Sequence, residues 1–219
     1  MILPDGHRHG PAQAGSWALR AWELDELPPA IPERPFSVGL HPWKLEANSL
    51  DAELFRLEFL LDKNCPEALG ECGLDRACAT PWDLQRKAFS AQAELARRRR
   101  LPLVLHVVRA FPEILAERRS GDLPGIVHGF HGGAELAREL WRHGLRLSFG
   151  FSLMTSPKAQ TAFRELPAEA LLLESDTENR PLEDLYALAA SLRGIPVESL
   201  AELVGQNLSD GGICWRERG

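Results

Sequence analysis

What the chain lacks narrows its identity first. No apolar run approaches the 18 or so residues that cross a bilayer, so no membrane segment is expected. A secretory leader is not expected either, because Asp5 and His7 interrupt the N-terminus where a longer apolar region would sit. The four cysteines, Cys65, Cys72, Cys78 and Cys214, never fall into the paired C-x-x-C spacing of a zinc module. Without a leader they read as free thiols of a cytoplasmic protein in a reducing compartment. Positive charge is in deficit: 25 Lys and Arg against 31 Asp and Glu give a net charge of −6. That excludes general electrostatic adhesion to nucleic acid, but not an enzyme that grips a phosphodiester through metal ions. Low-complexity segments, repeats and linkers are absent too, so residues 1–219 read as one domain with one sizeable core and no evident obligate protein partner.

What is present is an alternation. Short apolar runs occur at Ile2–Pro4, Trp17–Trp22, Phe36–Leu40, Ala68–Cys72, Leu103–Leu105, Ile126–His128, Leu145–Phe149 and Ala170–Leu173. Several are apolar throughout, as parallel strands covered on both faces are. Helical patterns lie between and after them, at Leu50–Asp62, Trp82–Arg98, Pro112–Arg119, Ala134–Arg142, Ser156–Glu165, Leu182–Leu192 and Val197–Leu208. Ser49 is placed to cap the first helix, and Gly144 and Gly194 to stop two later ones. The alternation predicts an α/β fold, and eight candidate strands suggest a TIM-type (β/α) barrel. The first βα unit is abbreviated: Gly10–Ser16 is short for a parallel crossover, and the region to Phe36 holds Pro11, Pro28, Pro29, Pro32 and Pro35. Trp17–Trp22 is therefore expected either to pair antiparallel to the first strand or to leave the barrel incomplete there.

Active sites of such barrels lie at the C-terminal strand ends, and those ends are polar here. They carry His7 and His9, His41, Glu71, His106, His128 and Asp176, so five of the seven histidines fall at strand ends. His7 and His9 share a strand face by the period of two. Four histidines and two carboxylates suit two divalent ions bridged by one carboxylate. Singly, each has a plainer reading: His106 and His128 as core histidines, Glu71 as a buried salt-bridge partner. His41 reads as a pocket or substrate residue. The Arg97–Arg100 run reads as a solvated helix end, and the six tryptophans as core or rim, none assigned to base stacking.

Several segments together resemble the TatD family of metal-dependent hydrolases. They are Asp5-Gly6-His7-Arg8-His9, Gly39-Leu40-His41-Pro42, Gly70-Glu71-Cys72-Gly73-Leu74-Asp75 and the stretch from Gln85 to His106. His128-Gly129-Phe130-His131-Gly132, Ser148-Phe149-Gly150, Glu174-Ser175-Asp176 and Asn207 continue the match. The resemblance implies a barrel holding one or two divalent ions (Zn, Mg or Mn) on His7, His9, Glu71, His106, His128 and Asp176, with Glu71 bridging. It also implies hydrolysis of phosphodiester bonds in DNA. The chain departs from the family pattern at Val108, where the family places an arginine and Arg109 follows, and at Thr177-Glu178-Asn179-Arg180, where the family continues with Ser-Pro.

The expected chemistry is metal-assisted hydrolysis by a deoxyribonuclease-like phosphodiesterase. Asp176 and Glu71 are the catalytic carboxylates, with Asp176 accepting the proton of the attacking water. Arg76, Arg109 and Arg180, with His41, are the candidate substrate contacts. A small amide, ester or lactone is the alternative substrate class, since one barrel supports many chemistries. A metal-binding scaffold without turnover is the reading from another class, favoured by a sealed pocket or a lost ligand.

Overall fold

A computed structural model describes residues 1–27, 34–119, 122 and 124–213. Pro28, Pro29, Pro32, Cys214 and Trp215 lie outside the described residues. Eight strands form one sheet in chain order: β1 (Leu3–Arg8), β2 (Ser16–Glu23), β3 (Phe36–Gly39), β4 (Ala68–Asp75), β5 (Leu103–Val108), β6 (Gly125–Val127), β7 (Leu145–Phe149) and β8 (Leu171–Leu173). Every neighbouring pair is parallel. Beyond β8 the chain returns to β1: Asp176 N–H donates to the His7 carbonyl and His9 N–H to the Asp176 carbonyl, each at 3.0 Å. The sheet is thereby drawn into a nearly closed barrel.

Helices α1 (Leu50–Asn64), α2 (Trp82–Arg99), α3 (Phe111–Glu117), α4 (Ala134–Arg142), α5 (Pro157–Glu165), α6 (Leu182–Arg193) and α7 (Val197–Asp210) follow β3 through β8. Gly194 ends α6 with a left-handed φ of 66°, as expected. Gly144, at φ 76°, turns the chain just after α4. Ser49 sits at the start of α1, but its hydroxyl donates to Glu53 Oε1 at 2.7 Å and accepts no helix N–H. Among the described residues, no helix is long and apolar enough to cross a membrane. Cys65, Cys72 and Cys78 are free.

The first crossover corrects the sequence reading. Trp17–Trp22 is neither antiparallel nor missing from the barrel; β2 is a full parallel strand between β1 and β3. The six residues of β1 rise about 17 Å, at roughly 3.3 Å per step. The residues from His9 to Gly15 must return over that length. Extended, they span up to about 23–25 Å, whereas a helix of that length would cover about 10 Å. Only an extended strap fits, and no helix forms. The strap is pinned at its start and middle: Arg8 Nε donates to the Pro11 carbonyl at 2.6 Å, and Gln13 Nε2 donates to the Arg180 carbonyl at 2.9 Å. Gln13 Oε1 also accepts the Leu182 N–H at 3.0 Å, so the strap holds the loop between Asp176 and α6.

Two buried amides on α2 fix the strand ends beside it. Gln92 brackets Leu40, accepting its N–H at 2.7 Å and donating to its carbonyl at 3.1 Å. Gln85 does the same to Asp75, at 2.8 and 3.0 Å. Asn207 on α7 donates to the Ala168 and Leu171 carbonyls and holds the start of β8. A buried backbone group needs a partner, and these side chains supply it where the ladder stops.

Candidate metal centre

The face of β4 that carries Glu71 looks into the mouth of the barrel. Its neighbour Cys72 faces the other way, with its thiol against the Val104 carbonyl, where burial pushes its pKa up. Cys72 is therefore no thiolate donor to this centre. Gly70 and Gly73 let β4 lie close against β5. Their φ values are 144° and 148°, and a Cβ there would collide with the carbonyls of Val104 and His106. A side chain at either position would displace Glu71 or His106.

Glu71 is the hub. Its Oε2 lies 2.7 Å from His9 Nε2 and 3.1 Å from His7 Nε2. Its Oε1 lies 2.7 Å from His128 Nε2 and 3.6 Å from both His106 Nδ1 and His41 Nε2. Asp176 Oδ1 stands 3.9 Å from the Nε2 atoms of both His7 and His9. The structure thus brings together all six residues expected to hold metal. Donor atoms of His7, Glu71 and His128 cluster within 4.8 Å of one another, as do those of His7, His9 and Asp176.

The electrostatics follow from this crowding. Burial alone would raise the Glu71 pKa, but the His7 and His128 rings hold it well below its ordinary range. Burial would lower that of His128, yet the Glu71 and Glu174 carboxylates hold it well above its ordinary value. The hydrogen bond to Glu71 raises that of His9. His7 is fully buried, and among the described residues neither of its ring nitrogens has a hydrogen-bond partner, since its contact with Glu71 lacks hydrogen-bond geometry. A buried orphan imidazole costs free energy unless something binds it. Nitrogen and oxygen donors converging on such a ring fit a divalent cation.

A second layer of carboxylates backs the histidines. His106 Nε2 lies 3.3 Å from Asp75 Oδ2. A carboxylate only accepts, so the His106 proton sits there and Nδ1 is left to face Glu71. Burial opposes the charge on Asp75, but the Trp43 indole, the Ala77 N–H and His106 hold its pKa below the ordinary value. Behind His128, Glu174 Oε1 stands 3.6 Å from Nδ1 and accepts the Gly129 N–H. Asp5 is fully buried and accepts both the N–H and the hydroxyl of Ser175, and burial raises its pKa to about 6.

Asp75 and Glu174 were not singled out from the sequence. The period of two was their signal, since Asp75 shares a strand face with Glu71, and Glu174 lies two residues before Asp176. His41 Nδ1 accepts the Trp43 N–H at 3.2 Å, so in the neutral ring Nε2 carries the proton. His41 is thus a hydrogen-bond donor at the site. His131 is exposed and turned to the Gly129 carbonyl.

The three arginines do not gather at the centre. Arg76 pairs with Glu113 and lies 4.0 Å from the Trp82 ring centroid. Arg180 lies over Phe151, 4.7 Å from its centroid, and Arg109 is exposed after β5 with a left-handed φ of 54°. The centre opens into a cleft of about 440 Å³ lined by His9, His41, Trp43, Lys44, Glu71 and Asp176, among others.

The chain is similar to known metal-dependent hydrolases. Residues 30–210 match the family described as TatD related DNase. The chain is 30% identical over 192 residues to YjjV of Escherichia coli, an uncharacterized metal-dependent hydrolase, covering 78% of this chain and 73% of YjjV. It is 32% identical to the uncharacterized metal-dependent hydrolase TatD of Mycobacterium tuberculosis, covering 89% and 75% of the two chains. It is 35% identical to the deoxyribonuclease Tat-D of Schizosaccharomyces pombe, covering 64% of this chain and 50% of that one. The crystal structure of YjjV superposes with a TM-score of 0.80 at 26% identity, covering 95% of this chain and 96% of the other. The chain belongs to the TatD family of metal-dependent hydrolases.

Proposed function

We propose that residues 1–219 work as one barrel domain, a divalent-metal-dependent phosphodiesterase acting on DNA in the cytoplasm. One observation carries the reading: the two oxygens of Glu71 face separate sets of imidazoles, His7 and His9 on one side, His41, His106 and His128 on the other. That is the arrangement of a carboxylate shared between two cations. His7, His9 and Asp176 would hold one ion, His106 and His128 the other, with Glu71 between. Bound there, divalent ions supply Lewis acidity toward a phosphoryl oxygen and lower the pKa of water.

The protein's own groups do the rest. Asp176, more open than the histidines beside it, accepts the proton of the attacking water. His41 Nε2–H donates to a phosphate oxygen. Asp75 and Glu174 orient the rings of His106 and His128. Lys44, at the cleft mouth, is positioned for a neighbouring phosphate, and Arg109 and Arg180 are further cations outside the cleft lining. The name of the fission-yeast relative, a deoxyribonuclease, supports DNA as substrate.

A second reading has its own observation. Glu23 and Glu26 line the same mouth and both pair with Lys44, which disfavours a polyanion and favours a small ester, amide or lactone. A hydrolysis screen of the purified protein with Zn, Mg and Mn against DNA, RNA, a simple phosphodiester and simple carboxylic esters decides between them. The phosphodiesterase reading expects cleavage of DNA and of the simple diester. Turnover of carboxylic esters alone would replace it with the second reading.

A further inference from the structure

Trp43 stands apart from the other described tryptophans. Trp17, Trp22, Trp82 and Trp141 pack against the core, whereas Trp43 is 61% exposed. An indole left in water forgoes the large burial gain that such a ring offers. Yet this ring is not loose. Its Nε1–H donates to Asp75 Oδ2 at 2.6 Å, and Asp75 is itself only 3% exposed. Its backbone N–H is held by His41, in a short 3₁₀ turn (Pro42–Lys44) whose Pro42 is buried. The indole stands at 80° to the His106 ring and 81° to that of His41, with centroids 5.3 and 4.9 Å away. It lines the same cleft as Glu71 and Asp176.

We propose that Trp43 is a stacking platform for a nucleobase beside the scissile phosphodiester, and so a specificity-determining residue of the site. The inference rests on the phosphodiesterase reading above. Two arguments point to an unpaired base. A base in a duplex has both faces covered by its neighbours, whereas a base of a single strand offers a free face to an aromatic side chain. Among the described residues, the cleft lining also offers little of the positive charge by which single-strand binders usually track the backbone, with Lys44 set among Glu23, Glu26, Glu71 and Asp176. Its net charge is −6, and Lys44 at the mouth is shared between Glu23 and Glu26. Away from the scissile phosphate, grip on the strand is then left to contacts that salt does not screen. A pinned indole provides one, and because every base has a π-face it tolerates many sequences.

The test measures binding beside turnover. A labelled single-stranded oligodeoxynucleotide, and the same backbone carrying tetrahydrofuran units in place of bases, are titrated by fluorescence anisotropy. The titrations use the protein as purified and again after chelation, where cleavage does not intervene. Wild type should prefer the base-bearing strand, with a shallow dependence on salt. Trp43→Leu should weaken that strand by roughly 5- to 100-fold, the range of base–aromatic stacking, and leave the abasic strand unchanged. Trp43→Phe keeps a ring but loses the N–H to Asp75, and should retain most of the binding. Equal binding of both strands by wild type would overturn the platform. So would an equal loss on both strands in Trp43→Leu, or a Trp43→Phe as weak as Trp43→Leu, which would make the Asp75 bond the working feature. DNA hydrolysis by the same samples separates the two ideas. A wild type that prefers bases through Trp43 but cleaves no phosphodiester keeps the platform and sinks the nuclease reading.

Discussion

The two sides of Glu71 are built differently. On one side His106 and His128 are about nine-tenths buried, and each has a carboxylate behind it, Asp75 or Glu174. On the other, His9 and Asp176 keep 30% and 38% of their side chains exposed, and their backbones are tied by the bridge from β1 to the segment after β8. Side-chain carboxylates fix rings one at a time. A backbone seam fixes His9 and Asp176 together and leaves both side chains partly open to solvent, while His7 on the same side is buried. The contrast is between a side where charge is buried and a side that His9 and Asp176 leave open to water.

The hub itself should show the largest effect. Glu71→Gln removes the charge both sides share, so metal content and activity should fall together, with activity down by at least about 10⁴-fold. Metal analysis beside turnover checks this, and a variant that kept its metal would mean that the two sides stand independently of Glu71. Next is Asp176→Asn. Asp176 has a left-handed φ of 52°, which Asn tolerates, so the change isolates the charge. Activity should fall by about 10²–10⁴-fold while most metal stays, held on the buried side. Wild-type turnover with metal bound would remove Asp176 from the role of base.

On the buried side, Asp75→Asn should weaken metal binding by about 10–100-fold, because a ligating imidazole loses its orienting partner. Metal affinity left unchanged by Asp75→Asn would erase the contrast.

Protonation sharpens it further. In the metal-free protein the pKa values of His9 and His128 are raised above their ordinary 6.5, and that of Glu71 is lowered below its ordinary 4.5. The stability from the raised histidines is fully present below 6.5 and is lost as pH rises through their folded values. That from Glu71 is present above 4.5 and is lost as pH falls through its folded value. Chelated protein should therefore melt highest between these limits and lose stability above neutrality. Metal-loaded protein should hold or gain there, because its ligands must be deprotonated. Calorimetric melts across about pH 5 to pH 9, with chelator and with metal, give the answer. Chelated protein that gained stability above neutrality would contradict the raised histidine values. The smallest effect is expected from Arg76→Ala. That side chain is engaged by Glu113 and Trp82 outside the cleft lining, so turnover should stay within about twofold.

Much of this was legible in the sequence because two rules applied together. Alternation on a strand put His7 beside His9, and the barrel rule put those two, Glu71, His106, His128 and Asp176 at one end. The rules say less about residues whose role is set by what packs against them. Gln85 and Gln92 look like ordinary polar positions of a helix; only contact with the ends of β3 and β4 makes them buried clamps. Arg76 follows Asp75 directly, yet it turns outward to Glu113. Loop length points the wrong way for β2, both in direction and in barrel closure, because crossovers are usually helical and an extended strap reaches further per residue.

The seam between His7, His9 and Asp176 also orders events in time. The residues it joins lie at opposite ends of the barrel's sequence, so a ribosome releases them far apart. Through β7 the chain has supplied five of the six donors, and the sixth, Asp176, follows only after β8. The donor set is therefore complete only once the segment after β8 lies against β1. The order of synthesis thus places the proposed base last among the donors.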